Sequence, residues 1–296
     1  MTKNTSIASL ALLLVGLVAG RTRLRAGHAL SAFACVILCL GLATPPACRA
    51  DAVTNSAAEV ERLFEAKMFR DSQGGLLPYR QLAPPKIEPG QRYPLVLLFH
   101  GAGERGTDNR LQLRLMLPAF IREENRTNHP CFVLAPQCPP GKRWVEVDWG
   151  SPAHAMPPEP SESMALAFGL LDEAMAALPV DRQRIYVCGA SMGGFGTWDA
   201  LARRPELFAA ALPVCGGADL QQAVRIAHIP VWAFHGDRDT VVLPARSSAM
   251  IETMRKAGGH PKLTLYPGGD HDAWTATFNS PEVFAWLFAQ RRTLDK

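Results

Sequence analysis

The spacing of apolar residues along the chain predicts an alternation of strands and helices. A continuous apolar run at 95–99 has the length and character of a strand buried in the middle of a parallel sheet. Two shorter runs, at 68–70 and 76–82, flank Ser72-Gln-Gly-Gly75 and predict a hairpin. Further strands are predicted at 131–135, 185–188, 209–214, 231–235 and 262–266, and helices at 111–124, 161–178, 247–257 and 281–291. The alternation predicts an α/β fold, a mostly parallel sheet with helices on both faces.

The segment 136–160 departs from this alternation. It carries seven prolines together with Trp144 and Trp149, and its apolar residues show no periodicity. Because it follows a predicted strand, it should lie over the edge of the sheet where ligands bind in open α/β folds. Both a rigid surface loop and a substrate-facing lid fit this pattern.

The first fifty residues differ from the rest of the chain in charge and in apolar pattern. Arg21-Thr-Arg-Leu-Arg25 is basic, residues 29–43 are apolar, and Cys48-Arg49-Ala50 offers small residues at positions −3 and −1 of a cleavage site. We therefore expect a signal peptide over residues 1–50, cleaved near Ala50, and a single exported domain, periplasmic or secreted, over 51–296.

An earlier apolar run at 7–19 fits an overlong leader, a short membrane segment or a start codon assigned too far upstream. The last is favoured, since the sequence from about residue 18 onward is a complete signal by itself. Neither apolar run reaches the roughly 18 residues of a transmembrane helix. Membrane attachment is expected only through an uncleaved leader.

Removing the leader changes the charge balance. The whole chain has a formal net charge of +4, but residues 51–296 hold 26 basic and 27 acidic side chains, a net charge of −1. This near-neutral balance gives no reason to expect a nucleic-acid partner.

Four cysteines remain after the leader: Cys131, Cys138, Cys188 and Cys215. Export permits disulfides, and Cys131 with Cys138 is the pair closest in sequence. Cys188 and Cys215 end apolar strands and are expected to be buried free thiols. No metal-type spacing is present, and no metal or other cofactor is expected.

The pentapeptide Gly189-Ala-Ser-Met-Gly193 fits G-x-S-x-G between a predicted strand and a helical pattern. This is the sequence context of a nucleophile elbow, in which a serine hydroxyl is exposed at a turn too tight for a Cβ at the flanking glycines. Ser191 is therefore the candidate nucleophile.

The other predicted strand ends supply candidates for the remaining roles. The glycine-rich turn after residue 99 leaves backbone N–H groups free, so the N–H groups of Ala102 and Met192 are the candidate oxyanion donors. Asp237, Asp239 and Asp219 are candidate acids. His271 follows the last predicted strand at the same edge of the sheet, and the chain order Ser191, Asp239, His271 is that of the α/β-hydrolases. The other histidines lie in the leader, at the opposite edge, in the proline-rich segment or at strand ends, where His100 and His235 are expected to satisfy turns.

Several motifs together resemble the dienelactone hydrolase and prolyl-oligopeptidase-like group of α/β-hydrolases. They are Leu98-Phe-His-Gly-Ala-Gly-Glu-Arg-Gly-Thr-Asp-Asn109, Ala135-Pro-Gln-Cys-Pro139, Gly189-Ala-Ser-Met-Gly-Gly194, His235-Gly-Asp-Arg-Asp-Thr-Val-Val242 and Gly269-Asp-His-Asp-Ala-Trp274. The resemblance runs from about Met68 to the C-terminus and is strongest to exported bacterial esterases described as predicted peptidases or phospholipase/carboxylesterase-like. It implies Asp239 as the acid and His271 as the base, with Glu104, Arg105 and Asn109 bracing the oxyanion loop.

The predicted function is hydrolysis of carboxylic esters through a Ser-His-Asp triad and an acyl-enzyme. The expected partner is a small-molecule or polysaccharide-linked ester. A peptidase acting on short peptides is the main alternative, and a non-catalytic binding protein on a hydrolase fold is a second one.

Overall fold

One mixed eight-stranded sheet organises the computed structural model, which describes residues 56–292. The strands are β1 (Glu65–Arg70), β2 (Leu76–Leu82), β3 (Tyr93–Phe99), β4 (Phe132–Pro136), β5 (Val180–Ala190), β6 (Ala210–Val214), β7 (Trp232–Gly236) and β8 (Lys262–Tyr266). The α-helices are α1 (Ala57–Leu63), α2 (Glu123–Asn128), α3 (Glu162–Ala177), α4 (Met192–Arg203), α5 (Ala223–Ile226), α6 (Ala245–Lys256), α7 (Trp274–Asn279) and α8 (Pro281–Ala289).

The strand order is β1-β2-β4-β3-β5-β6-β7-β8. β1 and β2 form an antiparallel hairpin, and β2 also pairs antiparallel with β4. All other neighbours are parallel. The predicted fold class is confirmed.

Strand periodicity explains how one sheet supports two hydrophobic layers. Successive side chains of a strand point to opposite faces, and every residue of β3 is buried. Leu95, Leu97 and Phe99 join a core formed with α3, α4, α5 and α6, whereas Val96 and Leu98 join a second core formed with α1, α7 and α8. Both faces of the sheet are therefore covered.

The prediction of one helix over 111–124 is wrong. Two short 3₁₀ turns, Leu111–Leu113 and Leu117–Ile121, take its place, and α2 begins only at Glu123. Pro118 stands in the first turn of the second 3₁₀ segment, a position that tolerates proline, whereas the interior of a longer helix does not. The apolar residues of this segment pack into the second core without forming a continuous helix.

The pairing between β6 and β7, called here the seam, involves fewer residue pairs than the other strand pairings. Its ladder has one register pair, Val214↔Phe234, beside the isolated bridge Ala211↔Val231. β7 and β8 pair along their whole length, from Trp232↔Lys262 to Gly236↔Tyr266. The last two strands therefore form a well-paired unit on one side of a thin seam.

Residues 1–55 and 293–296 lie outside the described part, so the signal peptide, its cleavage near Ala50 and the resulting domain boundary stay predictions. Within residues 56–292, no helix combines the length and the apolar character needed to cross a bilayer.

Candidate active site

Ser191 lies in a sharp turn between the end of β5 and the first residue of α4. Its backbone has φ 55° and ψ −120°, a conformation that a residue with a Cβ rarely adopts. Such a backbone costs about 1–3 kcal/mol and persists only where its surroundings hold it. Here the Ser191 N–H donates to Val214 O at 2.9 Å, and the Ser191 carbonyl accepts from Phe195 N at 3.1 Å.

The glycines around Ser191 are required by close backbone approach. A Cβ on Gly189 would lie 2.7 Å from both Gly193 C and Phe99 O. One on Gly193 would lie 2.6 Å from Phe99 C and 2.8 Å from His100 O. The elbow can therefore pack against the end of β3 only without these side chains.

His271 connects Ser191 to Asp239. Its Nε2 lies 2.8 Å from Ser191 Oγ, and its Nδ1 lies 2.7 Å from Asp239 Oδ2. Because the Asp239 carboxylate can only accept when ionised, it selects the tautomer with the proton on Nδ1 and leaves Nε2 free to accept from the serine hydroxyl. The structure thus brings together the predicted nucleophile, base and acid in one hydrogen-bonded chain, called here the Ser–His–Asp chain.

Asp239 is ionised in this setting. Burial opposes its charge, but hydrogen bonds from His271 and from the N–H groups of Val242 and Val241 outweigh burial, so the pKa of Asp239 is lowered. The N–H groups of Val241 and Val242 reach Oδ1 at 2.8 and 3.0 Å, respectively. The Asp239 side chain is 0% exposed and that of His271 is 20% exposed, so only the histidine edge faces the open site.

The predicted oxyanion donors lie on two neighbouring elements. Met192 is the first residue of α4, where a helix offers no acceptor for its N–H. Ala102 begins the 3₁₀ turn Ala102–Glu104 after β3. Gly101 connects this turn to the nucleophile, since a Cβ placed on it would lie 3.6 Å from Ser191 Cβ. The turn that carries Ala102 therefore starts beside Ser191, and the role of both N–H groups as oxyanion donors stays a prediction.

A buried glutamine braces the loop that carries Ala102. Gln137 Oε1 accepts from Asn109 N at 2.7 Å, and its Nε2 donates to Glu104 O at 3.2 Å and to Asp108 Oδ1 at 2.7 Å. Gln137 is 0% exposed, so these bonds are formed away from water. The loop is thereby fixed to the end of β4.

Two residues expected to brace this loop also form hydrogen bonds, one within the loop and one to β1 and β2. Arg105 Nε donates to Ala102 O at 2.9 Å, and Asn109 Nδ2 donates to Lys67 O and Tyr79 O at 3.1 and 3.0 Å. Glu104 differs, because its Oε2 is buried without a hydrogen-bond partner among the described residues.

The other candidate acids serve local turns. Asp237 Oδ1 accepts from Gly268 N at 2.7 Å, which ties the loop after β7 to the loop after β8. Asp219 caps a 3₁₀ turn through Gln221 N and accepts from Met156 N at 3.0 Å. Neither carboxylate contacts His271.

The two strand-end histidines form internal hydrogen bonds. His100 Nδ1 lies 2.6 Å from Gly101 O, and its Nε2 accepts from Cys138 N at 2.9 Å. Burial, with a smaller opposing bond to Gly101, lowers the pKa of His100 to about 4. His235 Nδ1 lies 2.8 Å from Ser247 Oγ, and its Nε2 lies 2.9 Å from Val242 O.

The proline-rich segment is anchored at several points. Trp144 is fully buried against Phe99, and its Nε1 donates to His100 O at 3.0 Å. Farther along, Arg203 of α4 donates to the carbonyls of Pro157, Pro158 and Glu159. These contacts hold the segment against the end of β3 and against α4, which favours the rigid loop over the substrate-facing lid.

All four described cysteines are buried and free. Cys131 and Cys138 flank β4 at opposite ends, so this pair is not bridged. Cys188 and Cys215 are free thiols as predicted. Cys215 donates its thiol to His271 O at 3.3 Å and adopts φ 48°, directly below the Ser–His–Asp chain.

Sequence patterns did not reveal three residues that lie next to the Ser–His–Asp chain. Trp274 packs edge-on against the His271 ring with centroids 5.4 Å apart. Cys215 and His235 lie behind Asp239, and the three residues present metal-type ligand atoms within 4.8 Å of one another. Those atoms already bond to protein groups, so this donor set fits a hydrogen-bond network better than a metal site. The only sequence feature that could have indicated this contact is the position of His235, four residues before Asp239.

Comparison with known proteins agrees with this architecture. Residues 163–282 match the family model described as the dienelactone hydrolase family. A search of curated proteins found no match. The structure of a thermostable esterase is 38% identical and superposes with a TM-score of 0.73. That match covers 79% of this chain but 64% of the esterase, so the chain spans less than two thirds of its length.

More distant structures share the fold alone. A ferulic acid esterase is 16% identical with a TM-score of 0.57, and the match covers 76% of this chain and 98% of that one. An acylaminoacyl peptidase of Pyrococcus horikoshii is 15% identical with a TM-score of 0.52, covering 79% of this chain and 43% of the peptidase. The chain therefore has the α/β-hydrolase fold, and its residues 163–282 are similar to the dienelactone hydrolase family.

Proposed function

We propose that this protein is a serine hydrolase that cleaves carboxylic esters through an acyl-enzyme. The observation that carries the proposal is the pair of hydrogen bonds at His271, 2.8 Å to Ser191 Oγ and 2.7 Å to Asp239 Oδ2. A neutral imidazole that accepts from a serine and donates to a buried carboxylate is arranged to take the serine proton.

In the first half-reaction, Ser191 Oγ attacks the ester carbonyl carbon while His271 Nε2 takes the hydroxyl proton. Asp239 stabilises the imidazolium, and the N–H groups of Ala102 and Met192 bind the oxyanion. Collapse of the tetrahedral intermediate breaks the bond to the alcohol oxygen, which receives the proton from His271. The products are the free alcohol and an acyl group esterified to Ser191.

In the second half-reaction, His271 takes a proton from water, and the water oxygen attacks the acyl carbon. Collapse of the second tetrahedral intermediate releases a carboxylic acid and returns the proton to Ser191 Oγ. Each cycle consumes one water and one ester, and the steps need no redox partner.

An ester substrate is favoured over an amide by the esterase that is 38% identical to this chain. Short peptides remain the alternative substrate class, because the same residues can attack an amide. Small-molecule esters and esters linked to polysaccharide are both within the proposal.

The test is hydrolysis of p-nitrophenyl acetate beside a peptide p-nitroanilide, by the wild-type protein and by Ser191→Ala. We expect the wild type to cleave the ester and Ser191→Ala to lose at least about 10³-fold in kcat, since the nucleophile is removed. A fluorophosphonate probe should label only the protein with Ser191. Turnover of the ester by Ser191→Ala at the wild-type rate would refute the mechanism, and preferential cleavage of the anilide would establish a peptidase.

Esters of graded acyl length, with a feruloyl ester included, then divide the substrate class. A maximum at acetyl would favour small acyl groups. A maximum at the feruloyl ester would favour aromatic acids of the kind esterified to plant polysaccharide.

A further inference from the structure

The side chain of His235 lies directly behind Asp239. His235 Nε2 is 3.1 Å from Asp239 Oδ2, the same oxygen that accepts from His271 Nδ1. The side chains of both His235 and Asp239 are 0% exposed. This contact is therefore shielded from water and belongs to the fixed interior of the site.

The surroundings of His235 determine its tautomer. Its Nε2 lies 2.9 Å from Val242 O, which can only accept, so Nε2 carries the proton. Its Nδ1 lies 2.8 Å from Ser247 Oγ, and a hydroxyl can donate to an unprotonated nitrogen. The Nε2–H therefore has two acceptors within reach, Val242 O at 2.9 Å and Asp239 Oδ2 at 3.1 Å.

A neutral ring is consistent with the groups around it. Asp239 and His271 face His235 from the loops after β7 and β8, Cys215 faces it from the end of β6, and Ser247 faces it from α6. Burial, outweighing Val242 and Asp239, lowers the pKa of His235. The nearby cation of α6, Arg246, bonds instead to Ser151 O and His154 Nδ1.

We propose that His235 is a positioning residue that donates its Nε2–H to Asp239 Oδ2 and so fixes the carboxylate on His271. The inference rests on the proposed function, because it assigns a task within the same chain of groups. Oδ1 is already held by the N–H groups of Val241 and Val242. With His235 the carboxylate is held at both oxygens and cannot rotate away from the imidazole.

This second donor also tunes the base. An N–H that shares Oδ2 withdraws electron density from the oxygen that stabilises the His271 imidazolium. Removing the donor while keeping the ring volume should therefore move the acid limb of the kcat/KM profile to higher pH, even as the geometry loosens. A residue that only filled space would lower activity without moving that limb.

The activity test compares His235→Phe, which removes the donor, with His235→Gln, whose amide N–H can reach the place of Nε2. For His235→Phe we expect kcat for p-nitrophenyl acetate to fall about tenfold or more, the range of a hydrogen bond to a charged group. KM should stay within about twofold, and the acid limb of the kcat/KM profile should move to higher pH. His235→Gln should recover most of kcat and return the limb towards the wild-type position.

His260→Gln is the matched control, because His260 is exposed at the opposite edge of the sheet. It should behave as the wild type. Wild-type kcat and pH profile in His235→Phe would overturn the proposal. Equal losses in His235→Phe and His235→Gln with an unmoved acid limb would assign His235 to packing and would also overturn it.

A readout independent of activity separates this proposal from the proposed function. In ¹⁵N-histidine spectra of the full protein we expect His235 to be neutral with its proton on Nε2. In Asp239→Asn, where the acceptor charge is removed, the Nε2–H proton resonance should move upfield. A proton on Nδ1, or a resonance unmoved by Asp239→Asn, would overturn the contact whatever the activity. If the proposed function alone were wrong, ester hydrolysis would not depend on Ser191, while the spectra would still show the contact. If His235→Phe does not fold, the spectra of the wild type and of Asp239→Asn test the contact between His235 and Asp239.

Discussion

Replacing Gly193 with alanine places one methyl group at the tightest point of the elbow. The new Cβ would overlap the Phe99 carbonyl oxygen and lie 2.6 Å from Phe99 C and 2.8 Å from His100 O. Ordinary carbon contacts begin near about 3.5 Å, so α4 or the end of β3 must shift by roughly an ångström. Neither neighbour is a flexible side-chain tip that could move aside.

The shift has two measurable consequences. Overpacking of this kind costs about 1–3 kcal/mol, and for a domain of this size each kcal/mol lowers Tm by about 2–4 °C. The shift also moves Met192 N relative to Ala102 N, and a misplacement of about 1 Å costs roughly 10²-fold in rate. We therefore expect Gly193→Ala to lose several degrees in Tm and about 10²-fold in kcat.

Thermal unfolding followed by circular dichroism and hydrolysis of p-nitrophenyl acetate measure the two effects. Gly150→Ala is the matched control, since its Cβ would make only an ordinary contact, 3.5 Å from Asp148 Oδ1. Its Tm and kcat should stay at wild-type values. If Gly193→Ala also kept both values, the elbow would not be limited by backbone approach and the reasoning would be refuted.

Two further predictions concern the core beside the site. Asp199→Ala should lower the free energy of unfolding by about 3–5 kcal/mol and speed proteolysis at 157–159. The reason is that Arg203 loses its carboxylate partner at 2.7 Å, in a pair whose Asp199 and Arg203 side chains are 4% and 10% exposed. Unchanged Tm and cleavage would contradict this. Ellman's reagent should detect the four thiols of the chain after residue 50 only in denaturant, since burial raises the pKa of Cys131 and Cys215 to about 12 and of Cys138 to about 11; rapid reaction of the native protein would show that these thiols are accessible.

The sequence anticipated the elements whose hydrophobic period is unambiguous. β8 has its predicted bounds, and α3 begins after Ser161, whose hydroxyl accepts from Met164 N as a cap should. β5 extends five residues farther towards the N-terminus than its apolar run, because Val180 pairs with Tyr93 across a bulge. Pairing across a sheet is a tertiary effect that apolar spacing does not encode.

In the candidate site, too, part of the arrangement was predicted from the sequence and part was missed. Chain order and strand ends selected Ser191 and His271 and left three candidate acids, among which the family resemblance selected Asp239. The structure brings Ser191, His271 and Asp239 within hydrogen-bond distance. Their chemical roles stay a prediction until the variants are assayed. The contact between His235 and Asp239 was missed, because a histidine at a strand end reads as a turn residue. Only the curl of the loop after β7 brings its ring beneath the carboxylate.

The thin seam between β6 and β7 divides the Ser–His–Asp chain into two mechanical parts. Asp239 and His271 follow β7 and β8, whose ladder is continuous, so these two residues lie together on one side of the seam. Ser191 is tied to the other side of the seam through its N–H bond to Val214 O. Opening at the seam would break the bonds from Cys215 to Phe234 O and His271 O and would lengthen the 2.8 Å contact between His271 Nε2 and Ser191 Oγ. The histidine–carboxylate pair would stay on one side of the seam. We therefore expect the contact between Ser191 and His271 to depend on the local closure of one strand pair rather than on the stability of the whole sheet.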